Sequence, residues 1–595
     1  MTLVAYLTDA RVRRTKLLLI AACSLLATAA TLPSPACSQG LPLLDFSGRT
    51  GDKRPELLDE KLEPAPAPLA LPAPSTSPAP APKKTSDDLL KSVLVKKIEV
   101  TGSTVFTAEE LAKVTAPYEN RTLSMEELES VRRDITLLYV NKGYINSGAV
   151  LPDQTVSAGV ITFKVIEGRL SHIEVVGNKW FGSSYIRDRV ARGADSPVNI
   201  IPLQDRLQLL QQDARIQRVH AELRPGGQPG EGNLTVRVEE KPPFSVWAAF
   251  NNYQSPSNGA ERVITTVSHQ NLSGHGDVLS LTYGHSEGLR MMLDAWYSLP
   301  LNSYDTTLLL RYRANDTKVV DKVFVPLDIK SETDTFEITL RQPLYRTLNQ
   351  EFALSLGLER ENSTTSLSGE WFNFSPGVQE GHARVVPLRF SQEWTYRSQQ
   401  QVIAARSRFS YGLDLMGATN NSALPGDLPT GKFFAWLGQL QWARILDVAD
   451  IQLISRLDVQ RSNDPLLPAE QMGVGGRYTV RGYRENSLVR DEALVASVEA
   501  RIPLIQNRAW ADYLQVAPFF DYGSARNVGA TSSGSTDVSS CGLGLRWGAT
   551  PLKGAFELKL EAEVYAGARL KTVAHTHDDL QDEGIHFQIA VSGNF

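Results

Sequence analysis

Ile585-His586-Phe587-Gln588-Ile589-Ala590-Val591-Ser592-Gly593-Asn594-Phe595 is the stretch that decides the fold. Ile585, Phe587, Ile589, Val591, Gly593 and Phe595 fall on one face, and His586, Gln588, Ala590, Ser592 and Asn594 on the other. Successive side chains of a strand point to opposite faces, so this is a strand with one apolar and one polar side. Its length matches the roughly 9–11 residues that a tilted strand needs to cross the hydrocarbon of a bilayer. Working backwards, the same texture continues to Phe244. Alternating segments lie near 244–252, 261–272, 276–285, 289–298, 304–313, 333–342, 350–360, 383–396, 400–414, 432–446, 448–461, 491–503, 512–521, 537–548, 552–565 and 584–595. Sixteen such segments, an even number, predict a closed transmembrane β-barrel of antiparallel strands over 243–595, with both ends on one side of the membrane. A soluble sandwich would use shorter strands and fewer in succession. In Phe434-Ala435-Trp436-Leu437-Gly438-Gln439-Leu440-Gln441-Trp442 one face carries Phe, Trp, Gly, Leu and Trp. Large aromatics near both ends of such a stripe form the girdles of a lipid-facing wall.

Ahead of the barrel stands an internal repeat. Lys97-Ile98-Glu99-Val100, Gly102 and Phe106 recur as His172-Ile173-Glu174-Val175, Gly177 and Phe181, a constant offset of 75 residues. The unit ends also match, Ile161–Val165 against Leu234–Val238. In the first unit Ser124 caps a helix reaching Asn141, with Glu126 and Glu127 in its opening turn and Leu128, Val131, Ile135 and Leu138 on one stripe. In the second, Leu203, Leu207 and Leu210 form a similar stripe. Each unit therefore reads as strand–helix–helix–strand–strand, a small α+β domain, over 93–169 and 170–242.

Before the repeats, residues 64–92 begin as a Pro/Ala-rich spacer of extended geometry, and 39–63 hold a short helix pattern, Glu56 to Glu63, started by Pro55. Residues 1–38 read as a secretory signal peptide. Arg11, Arg13, Arg14 and Lys16 precede an apolar run from Leu17 to Leu32, and cleavage fits after Ala29 or Ser38. Cys23, Cys37 and Cys541 are too far apart for a disulfide framework or a zinc site. A net charge of −5 without a basic stripe predicts no nucleic-acid partner. After the signal, no run of some 18 apolar residues recurs, so a bundle of membrane-spanning helices is excluded. Gly284-His285-Ser286-Glu287-Gly288 fits the esterase G-x-S-x-G pattern, but it sits between two strand patterns with no helix following, and a hairpin turn explains it. The nine histidines are scattered, and no phosphate-binding loop or metal-ligand spacing is present. The reading is of a protein without enzymatic activity, cofactor or metal.

These residues resemble the two-partner secretion transporters, also called TpsB or haemolysin secretion/activation proteins, of the POTRA-plus-barrel translocator superfamily. Four runs carry the resemblance, which covers roughly 90–595. Gly143-Tyr144-Ile145, Leu151-Pro152-Asp153-Gln154 and Val165-Ile166-Glu167-Gly168-Arg169 look like the family's first POTRA domain. Leu272-Ser273-Gly274-His275-Gly276-Asp277 looks like its early barrel turn. Gly475-Gly476 and Val480-Arg481-Gly482-Tyr483 look like the tip of its sixth extracellular loop, here 473–490, and Phe519-Phe520-Asp521-Tyr522-Gly523 like its F-x-D-x-G strand motif. The resemblance implies that the loop folds inward and that Arg481 meets Asp521 in the lumen. A barrel of sixteen strands is expected to have a polar, wet lumen, where such a pair adds only ~1 kcal/mol and serves to position the loop. Glycine beside the arginine permits a tight bend. In that family a helix at the mature N-terminus often plugs the barrel, and the sequence departs from this in that the matching 39–63 segment holds only the short Glu56–Glu63 stretch. The resemblance further implies assembly machinery that reads Phe595. The expected setting is the outer membrane of a Gram-negative cell, with lipid around the barrel and the POTRA domains in the periplasm. The expected job is export, without nucleotide hydrolysis, of a large adhesin or haemolysin with an N-terminal secretion domain. Capture would be by strand addition near Ile145–Val150 or Val219–Leu223. Barrel insertion, as in relatives with more POTRA units, and a solute channel are the alternatives.

Overall fold

The computed structural model describes residues 92–595, apart from 157, 422–427, 530–535, 555 and 572–578. The signal peptide, the 39–63 segment and nearly all of the spacer lie outside the described residues. Two compact units are formed, one ending at Lys241 and one running from Pro242 to Phe595.

In the first unit the repeat becomes two α+β domains. The first holds β1 (Val93–Val95), β2 (Lys97–Thr101), α1 (Ala108–Thr115), β3 (Arg121–Leu123), α2 (Met125–Asn141), β4 (Gly148–Val150) and β5 (Val160–Ile166). The second holds β6 (Arg169–Val176), α3 (Ser183–Ala191), α4 (Ile200–Gln211), β7 (Ile216–Pro225) and β8 (Glu231–Glu240). Their sheets share one topology, β2-β5-β4 and β6-β8-β7, in which the first strand pairs parallel with the last. β4 and β7 are therefore edges, and β1 pairs with β3 in a separate ribbon that the repeat did not announce.

The repeat is physical down to single atoms. Gly102 and Gly177 both have positive φ, +80° and +85°, and a Cβ on either would strike the carbonyl oxygen of Val165 or Val238. Glu167 and Glu240 each receive the backbone N–H groups of the loop before the first helix, from Thr104 and Val105 in one domain and from Lys179, Trp180 and Phe181 in the other. α2 begins with a reciprocal capping box between Ser124 and Glu127. Its buried residues are Leu128, Val131, Ile135 and Tyr139, while Leu138 is only partly buried. The stripe thus leans one residue further round than expected, because Tyr139 fills the centre of that core.

The second unit is a closed antiparallel barrel of 16 strands. Its wall runs through β9 (Phe244–Asn251), β10 (Arg262–His269), β11 (Val278–Ser286), β12 (Leu289–Pro300), β13 (Thr307–Lys318), β14 (Lys330–Arg346) and β15 (Gln350–Leu367). After the short β16 (Glu370–Trp371), one strand is interrupted at Val386 into β17 (His382–Val385) and β18 (Pro387–Arg397). β19 (Gln401–Gly412), β20 (Phe434–Ile445) and β21 (Gln452–Ser462) follow. The hairpin of β22 (Met472–Val474) and β23 (Leu488–Arg490) stands apart as its own sheet. β24 (Glu492–Arg508), β25 (Ala511–Arg526), β26 (Thr536–Leu552), β27 (Glu557–Arg569) and β28 (Ile585–Asn594) complete the wall, and β28 closes antiparallel on β9.

Alternation is visible in burial. Along β20, Ala435, Gln439, Gln441 and Ala443 are buried on the lumenal side, and Phe434 and Leu440 are exposed on the other. In β28 Ile589 and Val591 are exposed, and Phe595 packs its ring 5.8 Å from Phe244 and 4.8 Å from Phe556. Ser286 of the G-x-S-x-G run, where β11 enters its hairpin turn, donates to the carbonyl of Asn258 in the β9–β10 connection and so ties two neighbouring turns together. Asp277, in the early barrel turn, accepts from the Ser273 backbone and hydroxyl and from the Tyr297 phenol, which locks that turn.

Candidate functional site

The site begins with glycines. Gly475 and Gly476, at φ +112° and +107°, turn the chain after β22. The Thr479 hydroxyl accepts from Gly475 N–H, and Gly476 N–H donates to the Val480 carbonyl. This tight tip projects Arg481 toward β25. The Arg481 N–H and Nε donate to Asp521 Oδ2 at 2.9 and 2.8 Å, and Nη2 donates to Oδ1 at 2.8 Å. Ser497 donates to the same carboxylate, and the guanidinium lies 3.7 Å over the Phe519 ring. Backbone and side chain of one residue thus grip one carboxylate, so the contact fixes the loop's main chain as well as its charge.

Each motif residue has a physical task. Val480 is fully buried among Met472, Val474, Tyr483, Leu488, Val495 and Val538. Gly523 has to be glycine, because a Cβ there would lie 2.5 Å from Val474 Cγ1 and 2.8 Å from Val480 Cγ2. Gly482, at φ +91°, lies against the backbone of Gly567 on β27, and Arg569 Nε donates to its carbonyl at 2.5 Å. The single proton of the Tyr483 hydroxyl is shared between the carbonyls of Ser539 and Lys571, which lie 3.0 and 2.8 Å away.

One expectation needs correction. A wet lumen would have left the Arg481–Asp521 pair worth about 1 kcal/mol. Instead Arg481 is 3% exposed and Asp521 0%. A buried charge stripped of its partner costs about 3–5 kcal/mol, so breaking this pair is expensive even though making it also pays desolvation.

The structure adds residues that sequence reasoning missed. Glu499 of β24 takes the Nη1 of Arg481 and also binds Arg501 Nε and the Tyr565 hydroxyl. Arg477 pairs with Glu563 at 2.9 Å and lies 3.9 Å over Tyr565. On the outer side, Arg484 pairs with Asp582, and Gln581 joins the Glu485 N–H to the carbonyls of Asn252 and Gln254. Glu470, between β21 and β22, is held at 2.9 Å by Arg389 of β18. The small-residue run Ala566-Gly567-Ala568 was the available signal for a close backbone approach. For Glu499 and Glu563 there was none beyond a charge on a lumenal face.

The first-domain residues gather elsewhere, at the joint between the two α+β domains. The Gly143 carbonyl accepts from Ile200 N–H, and the Gly168 carbonyl from Val198 N–H at 2.7 Å. A Cβ on Gly143 would meet Asn199 Oδ1 at 2.5 Å, and one on Gly168 would meet Asn146 Oδ1 at 2.1 Å. Tyr144 packs on the first core, 6.1 Å from Tyr139. Glu167 collects Thr104, Val105 and the Tyr139 phenol. Burial opposes its ionisation, but hydrogen bonds from the Thr104 side chain and backbone, Val105 and Tyr139 outweigh it and hold the carboxyl below its ordinary range. Burial pushes the Tyr139 phenol up to about 12. Among the described residues no cluster suited to a metal ion occurs.

A 16-strand barrel with an inward-folded, charge-clamped loop, joined in one chain to paired α+β domains, defines the POTRA-plus-barrel class of outer-membrane translocators. Within it, the chain belongs to the haemolysin secretion/activation protein family ShlB/FhaC/HecB, which matches residues 230–547, and a ShlB-type POTRA domain matches residues 93–168. The chain is 24% identical over 401 residues to the outer membrane transporter CdiB of Dickeya dadantii strain 3937, covering 66% of this chain and 69% of that one. It is 22% identical to the hemolysin transporter protein ShlB of Serratia marcescens, covering 74% and 78%. Among solved structures, CdiB from Escherichia coli has the same fold, with a TM-score of 0.61 at 21% identity over 88% of this chain and 94% of that chain. The protein is thus an outer-membrane transporter of the two-partner type.

Proposed function

We propose that the protein carries one large secreted partner, of adhesin or haemolysin type with an N-terminal secretion domain, from periplasm to cell surface, and that loop 473–490 is the gate. The observation carrying this is the Arg481 clamp between Asp521 and Glu499, a buried charged anchor at the tip of a loop that Arg477, Gly482, Tyr483 and Arg484 also tie to the barrel. The partner is captured as an added strand on β4 or β7, both of which are sheet edges. Entry of the chain displaces the loop, and folding outside supplies direction, so no nucleotide, cofactor or metal is required. Phe595 is offered to the barrel-assembly machinery, and lipid surrounds the apolar wall. No nucleic acid takes part, and the chain is not an enzyme. The test is secretion of the product of the neighbouring gene in cells carrying Arg481→Ala or Asp521→Asn. Loss of surface partner with a normally assembled barrel supports the reading. Undiminished secretion in both variants removes the gate role.

A further inference from the structure

Arg360 stands on the bilayer-facing wall of the barrel, and among the described residues it has no partner. It follows Leu356 and Leu358 on the same face of β15, and its directly paired neighbour on β14 is the exposed Phe336. The Phe336 ring in turn packs at a tilt against Tyr312 of β13, centroids 4.6 Å apart. One step further along the strands the row is polar, with Asp334 bonded to Asn362 and Arg384 beside them. The apolar band therefore ends at Tyr312, Phe336 and Arg360, which places Arg360 at headgroup level of the outer leaflet. Among the described residues nothing accepts a hydrogen bond from Arg360 or pairs with it, and its Nε is buried without an acceptor. Below it opens a groove of about 540 Å³, lined by Leu310, Tyr312, Phe336, Ile338 and Leu358 and closed by Met416 from the segment after β19. Arg384 brings a second cation whose bonds go only to neutral acceptors, the Asn362 side chain and the Met416 carbonyl.

We propose that this groove binds a phosphorylated, acylated lipid of the outer leaflet, with an acyl chain along Ile338 and Leu358 and a phosphate on Arg360. Lipid is the occupant because the groove faces the bilayer, and a phosphate is the group because a guanidinium forms paired hydrogen bonds with it. An unpaired arginine above hydrocarbon needs an anionic acceptor, and the lipid headgroup is the one available at that depth. The site is separate from the Arg481 clamp, so its failure would leave the gate reading untouched.

The test uses the full-length protein in detergent, offered bisphosphorylated lipid A and the same lipid stripped of its phosphates, with retention read by native mass spectrometry. Wild type is expected to prefer the phosphorylated form. Arg360→Gln should reduce that preference about tenfold, the loss of one charge-assisted bond. Arg360→Lys should retain part of it, and Ile338→Trp, which fills the groove, should lower retention of both forms. Inorganic phosphate should displace neither lipid. Equal retention of the two lipids by wild type, or an unchanged preference in Arg360→Gln with the barrel still heat-modifiable, would overturn the proposal. Displacement by inorganic phosphate alone would replace a lipid site with a free-anion site.

Discussion

At the residue scale, Arg481 carries more of the structure than a surface ion pair would. Arg481→Ala leaves Asp521 and Glu499 buried without their shared cation, and we expect docking of the loop to weaken by about 3–5 kcal/mol. Cysteine labelling at position 483, whose tyrosine is 1% exposed in the docked loop, measures this, since labelling should rise in the variant. Arg481→Lys keeps the charge but loses the fork that grips both Asp521 oxygens, so labelling should fall between the two. Glu499→Gln should resemble Asp521→Asn in direction and be weaker, because Asp521 alone also receives the Arg481 backbone. In the first α+β domain, Glu167 has a depressed carboxyl in the folded state. Such a group adds stability that is fully present above its unfolded value and disappears as pH falls through the folded one. The urea midpoint of a 92–241 fragment should therefore drop once pH falls below the ordinary 4.5, and Glu167→Gln should start lower and show a flatter decline. An equal decline in both proteins would assign the acid sensitivity to other groups.

At the element scale, the edge strand β7 and the β27–loop contact are the most exposed to test. In an antiparallel pair successive N–H groups of an edge strand point alternately to the partner and away. Proline at Ala221 and at Glu222 should therefore differ: one removes a bond to β8, and the other only blocks an incoming strand. If β7 is the capture edge, the variant that keeps the domain folded should still lose secretion several-fold, roughly the worth of one or two backbone hydrogen bonds. If both folded variants secrete normally, β4 becomes the edge of choice. Gly567→Ala places a Cβ 2.8 Å from the Gly482 backbone, and neither side is a flexible chain end. It should push the loop outward and raise labelling at position 483 without touching any charge.

At the scale of the whole molecule, deleting residues 40–62 should raise single-channel conductance if that segment plugs the barrel, and unchanged conductance would sink the plug. The barrel and the paired α+β domains were legible because their information is local. Period-2 alternation reports a strand two-sided between lipid and lumen, as in Ile585 to Phe595, and the 75-residue offset reports a repeat. Helix caps such as Ser124 with Glu127 are equally local. Arg481 and Asp521 were readable as a pair only through resemblance, since 40 residues and a full strand of wall, β24, separate them. What the tertiary structure alone decided lies in contacts between segments with no common pattern. Glu499 joining the clamp, Gly567 admitting Gly482, Gly143 and Gly168 forming a joint, and the exclusion of water from Arg481 all belong here. So does the guanidinium of Arg360, which has no partner among the described residues, because that shows only once the strands beside it are in place. Alternation fixes which way a side chain points. Closure of the barrel and the inward path of one loop fix what it meets there, and burial sets how much that meeting is worth.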